Sequence, residues 1–257
     1  LTYDANNKLS FVAGGYYWES EYEIDLNSFI GFNPDFPGQI LDIYQNTKMT
    51  TDSWAVFFEG DYAVTDALTL TLGGRYTEDE KESKQNGAQG NNFYPQSGYP
   101  KEDWDEFTPR VGARYAISDD MMVFATYSKG YRSGGFLGRV AGVESASVPY
   151  DPETVDNYEL GIKSEWMDNR LRVNANVFYM EYEDKQEELQ LAEPLEATGQ
   201  KTIVTNASSA TIYGVELDVQ AYITDNFSLR ANLGYLDTEY DDFFYEDANN
   251  VVDFSDL

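Results

Sequence analysis

Phe107-Thr-Pro-Arg-Val-Gly-Ala-Arg-Tyr115 alternates two kinds of residue, with Phe, Pro, Val, Ala and Tyr at the odd positions and polar, basic or glycine residues at the even ones. A period of two is the period of a β-strand, so the stretch predicts a strand with one apolar and one polar face. Its eight residue steps rise roughly 26 Å, or about 19 Å along a membrane normal at a tilt of ~45°. With a ring at each end, the stretch is typical of a strand that crosses an outer membrane.

The same pattern recurs at Trp54–Tyr62, Tyr158–Trp166 and Phe227–Tyr235, with Ala55 and Phe57 as exceptions. Short polar turns at 65–67, 118–120, 167–169 and 224–226 alternate with long connections at 24–51, 78–105, 133–155 and 183–205. Such alternation is typical of a transmembrane antiparallel up-and-down β-barrel, with its turns on the periplasmic side. The predicted strands are residues 9–23, 52–64, 68–78, 106–117, 121–132, 155–166, 171–182, 209–223 and 227–237.

Composition narrows the function classes. The 17 basic residues stand against 46 acidic ones, and a net charge of −29 argues against nucleic acid as a partner. Helical membrane spans are not expected, because the mean hydropathy is −0.54 and no apolar run reaches 18 residues. The chain has neither Cys nor His, so thiol chemistry and the usual general base are missing. We therefore predict no catalytic residue, no cofactor and no enzyme activity. A soluble β-sandwich or propeller remains the alternative fold.

Charged side chains on the polar faces are expected to point into a lumen, because a Lys or Arg that faces lipid at mid-depth costs roughly 2–4 kcal/mol. Opposite charges then meet across the short turns. Glu59 is predicted near Arg75, Glu165 near Arg172, and Asp218 near Arg230. A charged lining that fixes strand register is the simplest role for this set. The predicted lumen charges are Glu59, Arg75, Arg110, Arg114, Lys163, Glu165, Arg172, Asp218 and Arg230.

Aromatic residues in the predicted loops are the ligand-binding candidates, because exposed rings can stack on sugars, aromatic chelators or other apolar ligands. Packing of one loop against another is the simpler role for any single ring. Clustered carboxylates at Asp237, Glu239, Asp241 and Asp242 are a candidate calcium site, with a solvated acidic loop as the alternative. The aromatic candidates are Phe29, Phe32, Phe36, Tyr44, Phe93, Tyr94, Tyr99, Trp104, Phe136, Phe243, Phe244 and Tyr245.

Three further motifs follow Phe107–Tyr115 in order. They are Val123-Phe-Ala-Thr-Tyr-Ser-Lys-Gly-Tyr-Arg-Ser-Gly-Gly-Phe136, Tyr150-Asp-Pro-Glu153 with Tyr158-Glu-Leu-Gly-Ile-Lys163, and Tyr213-Gly-Val-Glu-Leu-Asp218. In this order and spacing the chain resembles the barrel of TonB-dependent outer-membrane receptors, from about residue 50 to 240. For Ser133-Gly134-Gly135, a bend at the end of a strand is the plain prediction.

The resemblance implies a 22-stranded barrel in the cell outer membrane, closed by an N-terminal plug that an energy-coupling motif precedes. Residues 1–257 are then expected to be an internal part of the barrel, with the plug and the closing strands outside this chain. The implied function is the import of a scarce extracellular ligand, coupled to the TonB complex. Implied partners are outer-membrane lipid and lipopolysaccharide, TonB, a small ligand and a surface lipoprotein.

Three other classes remain open at this point. A passive porin would use the charged lumen as a water-filled channel. An outer-membrane protease or lipase is a second class. A catalytic site that depends on His could not be built from this chain, because the chain has no His. An adhesion or scaffolding protein is compatible with long acidic loops. Those loops also favour neutral or cationic ligands over bare anions, because like charges repel.

Overall fold

The computed structural model describes residues 2–5, 8–32, 40–89, 92–95, 100–138, 148–192, 200–246 and 251–253. Regular structure in these ranges is entirely β-strand, with nine long strands and five short ones. The strands are β1 (Thr2–Ala5), β2 (Leu9–Phe32), β3 (Ile40–Ala63), β4 (Leu68–Gln89), β5 (Asn92–Pro95), β6 (Lys101–Ser118), β7 (Met121–Arg132), β8 (Gly135–Phe136), β9 (Pro149–Tyr150), β10 (Glu153–Trp166), β11 (Leu171–Ala192), β12 (Gln200–Thr224), β13 (Phe227–Glu246) and β14 (Val251–Asp253).

The long strands form one antiparallel up-and-down sheet. Its order is β1-β2-β3-β4-β6-β7-β10-β11-β12-β13-β14, with β5 paired to β4, while β8 and β9 form a separate two-stranded ribbon. Within the described ranges no pairing joins β1 to β14, so these residues form an open section of a wall. The predicted all-β antiparallel architecture is confirmed. No helix in the same ranges has the length and hydropathy needed to cross a bilayer.

All nine predicted strands are present, and their ends at the four short turns fall within a residue of prediction. We call this end of the wall the turn end and the opposite end the loop end. At the loop end the prediction is wrong, because several strands run much further. β3 begins at Ile40 instead of residue 52, β4 ends at Gln89 instead of 78, and β12 begins at Gln200 instead of 209. At the loop end, polar residues occur on both faces of the strands, so the sequence loses its period of two. The backbone hydrogen bonds between the strands nevertheless continue.

The apolar face of the wall is uncovered. Trp54, Leu160 and Leu233 keep 40%, 58% and 66% of their surface exposed on this face. A soluble β-sandwich would bury such side chains against a second sheet. Because no second sheet covers this face in the described residues, its natural environment is hydrocarbon, as predicted.

Aromatic side chains mark both ends of the apolar face. Toward the turn end they include Tyr62, Tyr115, Trp166 and Phe227, and toward the loop end they include Tyr17, Tyr76, Phe107, Tyr127, Tyr158, Tyr179, Tyr213 and Tyr235. Several loop-end hydroxyls donate to carboxylates, such as Tyr235 to Asp237 at 2.9 Å and Tyr17 to Asp52 at 3.1 Å. An amphipathic ring with its polar tip held in this way is suited to a lipid–water interface.

The substitution Val111→Arg tests the facing, because Val111 lies midway between Phe107 and Tyr115 on the apolar face. We expect it to lower the free energy of unfolding in lipid vesicles by roughly 2–4 kcal/mol, since the guanidinium would enter hydrocarbon. The measurement is denaturant unfolding followed by tryptophan fluorescence. The control is Thr126→Arg, whose side chain would face the lumen opposite Glu159. Equal losses in the two variants would contradict the assignment of faces.

Candidate functional site

The lumen face of the wall carries the predicted charges, and ion pairs hold several of them. Arg114 Nη2 donates to Asp61 Oδ2 at 2.8 Å, and Asp61 also accepts from Thr71 Oγ1 at 2.6 Å. Arg172 Nε donates to Glu165 Oε1 at 2.9 Å, as predicted, because the two residues are direct partners on β10 and β11. Exposed pairs of this kind contribute at most about 1 kcal/mol each, so they tune register more than stability.

The pairing predicted for Glu59 with Arg75 is wrong. Glu59 lies opposite Gly73, whose partner on the next strand is Arg110. Because Gly73 has no side chain to stand between them, Arg110 Nε reaches Glu59 Oε2 at 3.5 Å. Arg75 instead lies over the ring of Tyr16, with its guanidinium carbon 5.4 Å from the ring centroid.

The pairing predicted for Asp218 with Arg230 is also wrong, by a register offset of two residues. Asp218 lies opposite Asn174 on one side and Asn232 on the other. Arg230 lies opposite Gln220 and donates to its Oε1 at 3.3 Å. Opposite charges identified residues on the correct face of the sheet, but they could not give the register between neighbouring strands.

Part of this lining forms a polar hollow of about 410 Å³ at the centre of the wall. Its cations are Arg110, Arg114 and Lys163, and its carboxylates are Glu159 and Glu216. The Lys163 ammonium lies 5.6 Å from the centroid of the Phe124 ring. Mixed charges facing an open hollow can bind water or a complementary polar surface.

A second feature lies nearer the loop end, where the chain leaves β7 and turns into the lumen. We call residues 133–138 and 148–152 the strap. Its two arms pair as β8 and β9, with Gly135 opposite Tyr150 and Phe136 opposite Pro149. The chain leaves the sheet at Ser133, where the sequence predicted a bend.

The strap is bound to β3 and β4 by side-chain donors on the lumen face. Lys81 Nζ donates to the Gly134 carbonyl at 2.6 Å, and Gln85 Nε2 donates to the Leu137 carbonyl at 2.7 Å. Gln45 Nε2 and Thr47 Oγ1 both donate to the Gly138 carbonyl, at 3.0 and 3.1 Å. These bonds satisfy strap carbonyls that have left the sheet.

The other side of the strap is bound to β11 and β12. Gln186 Nε2 donates to the carbonyls of Ser133 and Asp151, at 3.0 and 2.9 Å. Asn206 accepts from the Asp151 N–H at 2.8 Å and donates to the carbonyls of Asp151, Pro152 and Asp184, at 2.7, 3.3 and 2.8 Å. Asp184 has a positive φ of 52°, next to a register shift in β11. The strap therefore connects strands that are not neighbours in the sheet.

A buried apolar cluster fixes the centre of the strap. Phe136 packs with Trp104, their ring centroids 6.2 Å apart, and Met49 completes the cluster. Gly134 fits closely here, because an added Cβ would lie 2.5 Å from the Trp104 ring and would also meet the Tyr150 carbonyl. Trp104 and Phe136 were predicted as ligand-contacting rings. In the structure they are buried against each other, which agrees with the packing named above as the simpler role, and their ligand role stays a prediction.

Lys81 is one of the strap-binding residues that the sequence did not single out. Burial lowers the pKa of its ammonium, and the neighbouring charge of Asp79 opposes that shift. The ammonium also lies 5.8 Å from the centroid of the Trp104 ring. A sequence signal was available, because Lys81, Ser83 and Gln85 continue the lumen-facing parity of β4 beyond Tyr76.

The remaining aromatic candidates divide into two groups. Tyr44 is exposed, and Phe243 is buried with its ring centroid 5.0 Å from that of Tyr240. Phe36 and Tyr99 lie outside the described residues, as do the side chains of Phe29, Phe32, Phe93, Tyr94, Phe244 and Tyr245, so their ligand role stays a prediction. Those six lie in the strands β2, β5 and β13, not in loops as predicted.

The candidate calcium ligands Asp237, Glu239, Asp241 and Asp242 lie in β13 and not in a loop. Asp241 accepts from Thr211 Oγ1 at 2.9 Å, and Asp237 accepts from Tyr235. Over the described part of the chain, no three acidic side chains are grouped to hold a metal ion. The described residues therefore give no support for a calcium site at these four positions.

Comparison with known proteins gives one family. A family model described as TonB dependent receptor-like, beta-barrel matches residues 1–255. Among curated relatives, the ferripyoverdine receptor of Pseudomonas aeruginosa is 25% identical over 226 residues, 85% of this chain and 25% of that protein. The pesticin receptor of Yersinia enterocolitica is 26% identical over 192 residues, 74% of this chain and 27% of that protein.

Solved structures show the same fold. The ferric yersiniabactin uptake receptor of Yersinia pestis superposes with a TM-score of 0.74 at 19% identity, over 96% of this chain and 39% of that one. A siderophore receptor of Acinetobacter baumannii gives a TM-score of 0.67 at 19% identity, over 99% and 39%. This chain therefore spans well under half the length of the proteins that it matches.

Gly134→Ala tests the anchoring of the strap. We expect it to lower the free energy of unfolding by about 1–3 kcal/mol, because the new methyl group would overlap Trp104 and the Tyr150 carbonyl. The matched control is Gly234→Ala, since nothing lies within 4 Å of the Cβ that it adds. That variant should stay within about 0.5 kcal/mol of wild type. Denaturant unfolding in vesicles measures both, and equal stability of the two variants would contradict the observed packing.

Proposed function

This chain belongs to the TonB-dependent receptor-like β-barrel family, and on that premise we propose that it forms part of a receptor that imports a scarce metal chelate by TonB-coupled active transport. Members of this family are β-barrels of the outer membrane of Gram-negative bacteria, and the chain is an outer-membrane protein of this class. The match over residues 1–255 is the observation that carries the proposal.

The ligand class is drawn from relatives. They are named as a metal-pseudopaline receptor and a ferripyoverdine receptor, both of Pseudomonas aeruginosa, and the fold neighbours include a ferric yersiniabactin uptake receptor. These relatives are receptors by name and not enzymes. A chelated metal ion is the ligand chemistry that they share, so we extend that class to this protein. The excess of carboxylates favours a chelate that is neutral or cationic over a bare anion.

Energy-coupled import requires more than one section of a barrel wall. We propose that the plug, the coupling motif and the closing strands belong to the part of the receptor outside residues 1–257. The polar hollow around Arg110, Lys163 and Glu159 offers both signs of charge to a domain seated in the lumen. We propose TonB as a partner because the matching family is TonB-dependent, whereas lipopolysaccharide and a surface lipoprotein stay predictions.

A passive porin is the alternative, and energy dependence separates the two. The experiment deletes the gene in its host and restores it, then follows uptake of radiolabelled iron as ferric yersiniabactin, ferric catecholate and ferripyoverdine. We expect the restored strain to take up at least one chelate saturably, and uptake to fall to background when TonB is deleted or a protonophore is added. Uptake that is linear in concentration and indifferent to both treatments would support the porin and overturn the proposal.

A further inference from the structure

Pairing between β6 and β7 stops before either strand ends. The last pair toward the loop end is Arg110 with Ser128. Beyond that pair, β6 stays paired with β4, and β7 stays paired with β10. We call residues 106–109 of β6 and 129–132 of β7 the seam. In the described part of the chain, the two sides of the seam do not pair with each other.

Pro109 gives a physical reason for this break. It is the first residue of β6 beyond the last pair, and a proline has no N–H to donate to a neighbouring strand. Within sheets, proline is therefore confined to edges and irregular positions. On the other side of the seam, the chain leaves β7 and enters the strap at Ser133. The break therefore allows the loop-end part of β7 to follow the strap instead of β6.

Side chains from both faces of the wall meet in the seam. Lys129 Nζ lies 2.8 Å from Glu106 Oε1. By alternation along β7, Lys129 belongs to the outer face with Tyr127, whereas Glu106 belongs to the lumen face of β6 with Arg110. Continuous pairing would place backbone between two such residues. The ion pair therefore passes through the break in the wall.

Tyr131 fits poorly while the seam is open. Its hydroxyl is buried and has no hydrogen-bond partner among the described residues. The Asp79 carboxylate lies nearby, outside hydrogen-bonding geometry. A buried hydroxyl without a partner is costly, because it has lost its bonds to water. Alternation along β7 would place this ring on the outer face, where a hydroxyl can reach the lipid–water interface.

Pairing continued in the same register would join complementary residues. The third new pair would combine two rings on the outer face, and the fourth would combine opposite charges on the lumen face. The sequence therefore suits a closed seam as well as the open one. In order, the new pairs would be Pro109 with Lys129, Thr108 with Gly130, Phe107 with Tyr131, and Glu106 with Arg132.

We propose that the seam is a two-state element: residues 129–132 pair either with β10 alone, as in this structure, or with both β10 and residues 106–109 of β6. The strap holds the open state, because Gln186 and Asn206 bind its backbone from β11 and β12. Closing the seam draws Ser133 toward β6 and away from these two anchors. The closed state therefore uncovers the lumen face of β11 and β12 at the loop end.

A cysteine pair across the seam tests this proposal, and the chain itself has no cysteine that would interfere. The experiment uses the full receptor in outer membranes, with Thr108→Cys and Gly130→Cys and mild oxidation by copper phenanthroline. We expect the disulfide to form about tenfold faster when Gln186→Ala and Asn206→Ala are added. The reason is that the open state then loses its hydrogen bonds to β11 and β12.

Two controls match this design. Gly112→Cys with Thr126→Cys joins an existing pair of β6 and β7 on the same face, and it should crosslink equally in both backgrounds. Asn176→Ala with Gln220→Ala removes lumen-facing amides from β11 and β12 away from the strap, and it should leave seam crosslinking unchanged. Equal rates in the anchor variant and this control would overturn the proposal. A seam pair that never crosslinks, while the existing pair does, would overturn it too.

Hydrogen–deuterium exchange on the receptor without cysteines provides a second measurement. In the anchor variant, strap amides should exchange faster, whereas amides of residues 129–132 should exchange more slowly because they gain partners on β6. Unchanged or faster exchange at 129–132 would mean that the anchors only stabilise the strap, and it would contradict the two-state seam. Gln186→Ala alone is the milder variant if heat-modifiable mobility on gels shows that the double variant misfolds. Neither readout involves import of a chelate, so this proposal and the proposed function fail separately.

Discussion

The requirement that every backbone N–H and C=O in hydrocarbon has a partner determines this structure. Nine long strands meet it by pairing with the next along the chain, which leaves the side chains free to differ between the two faces. That freedom explains why a protein with a mean hydropathy of −0.54 can cross a membrane at all. It also explains the small buried core, because the largest apolar side chains, such as Leu233 and Trp54, are directed outward.

At the loop end, outside the part of the wall that contacts lipid, the same pairing of strands has another role. There the strands continue without an apolar face, and the strap fills the concave side with a cluster of Phe136, Trp104 and Met49. Side-chain donors from four strands bind its carbonyls, so these backbone acceptors have partners although they lie outside the sheet. The described strap residues consequently shape the lumen face at the loop end.

Sequence reasoning succeeded where lipid imposes a period of two and was less reliable elsewhere. It found nine strands, their ends at the turns and the facing of residues such as Arg110 and Lys163. It placed only the Glu165–Arg172 pair correctly, because register depends on turn geometry that charge signs do not encode. It missed Lys81, because the strap is a long-range contact. Residues more than 50 positions apart meet there, and local patterns carry no information about such contacts.

Asn206 occupies a position that requires a side chain with both a hydrogen-bond acceptor and donors. Its amide uses its oxygen to accept and its nitrogen to donate to three carbonyls, so both ends of the group are engaged. Conversion to aspartate, which spontaneous deamidation also produces, would turn an oxygen toward those three carbonyls and replace the donated bonds with repulsion. Only the bond accepted from the Asp151 N–H would remain. Slow chemical ageing of a single amide would therefore weaken one side of the strap, which Gln186 would still hold, while every strand of the sheet remained intact.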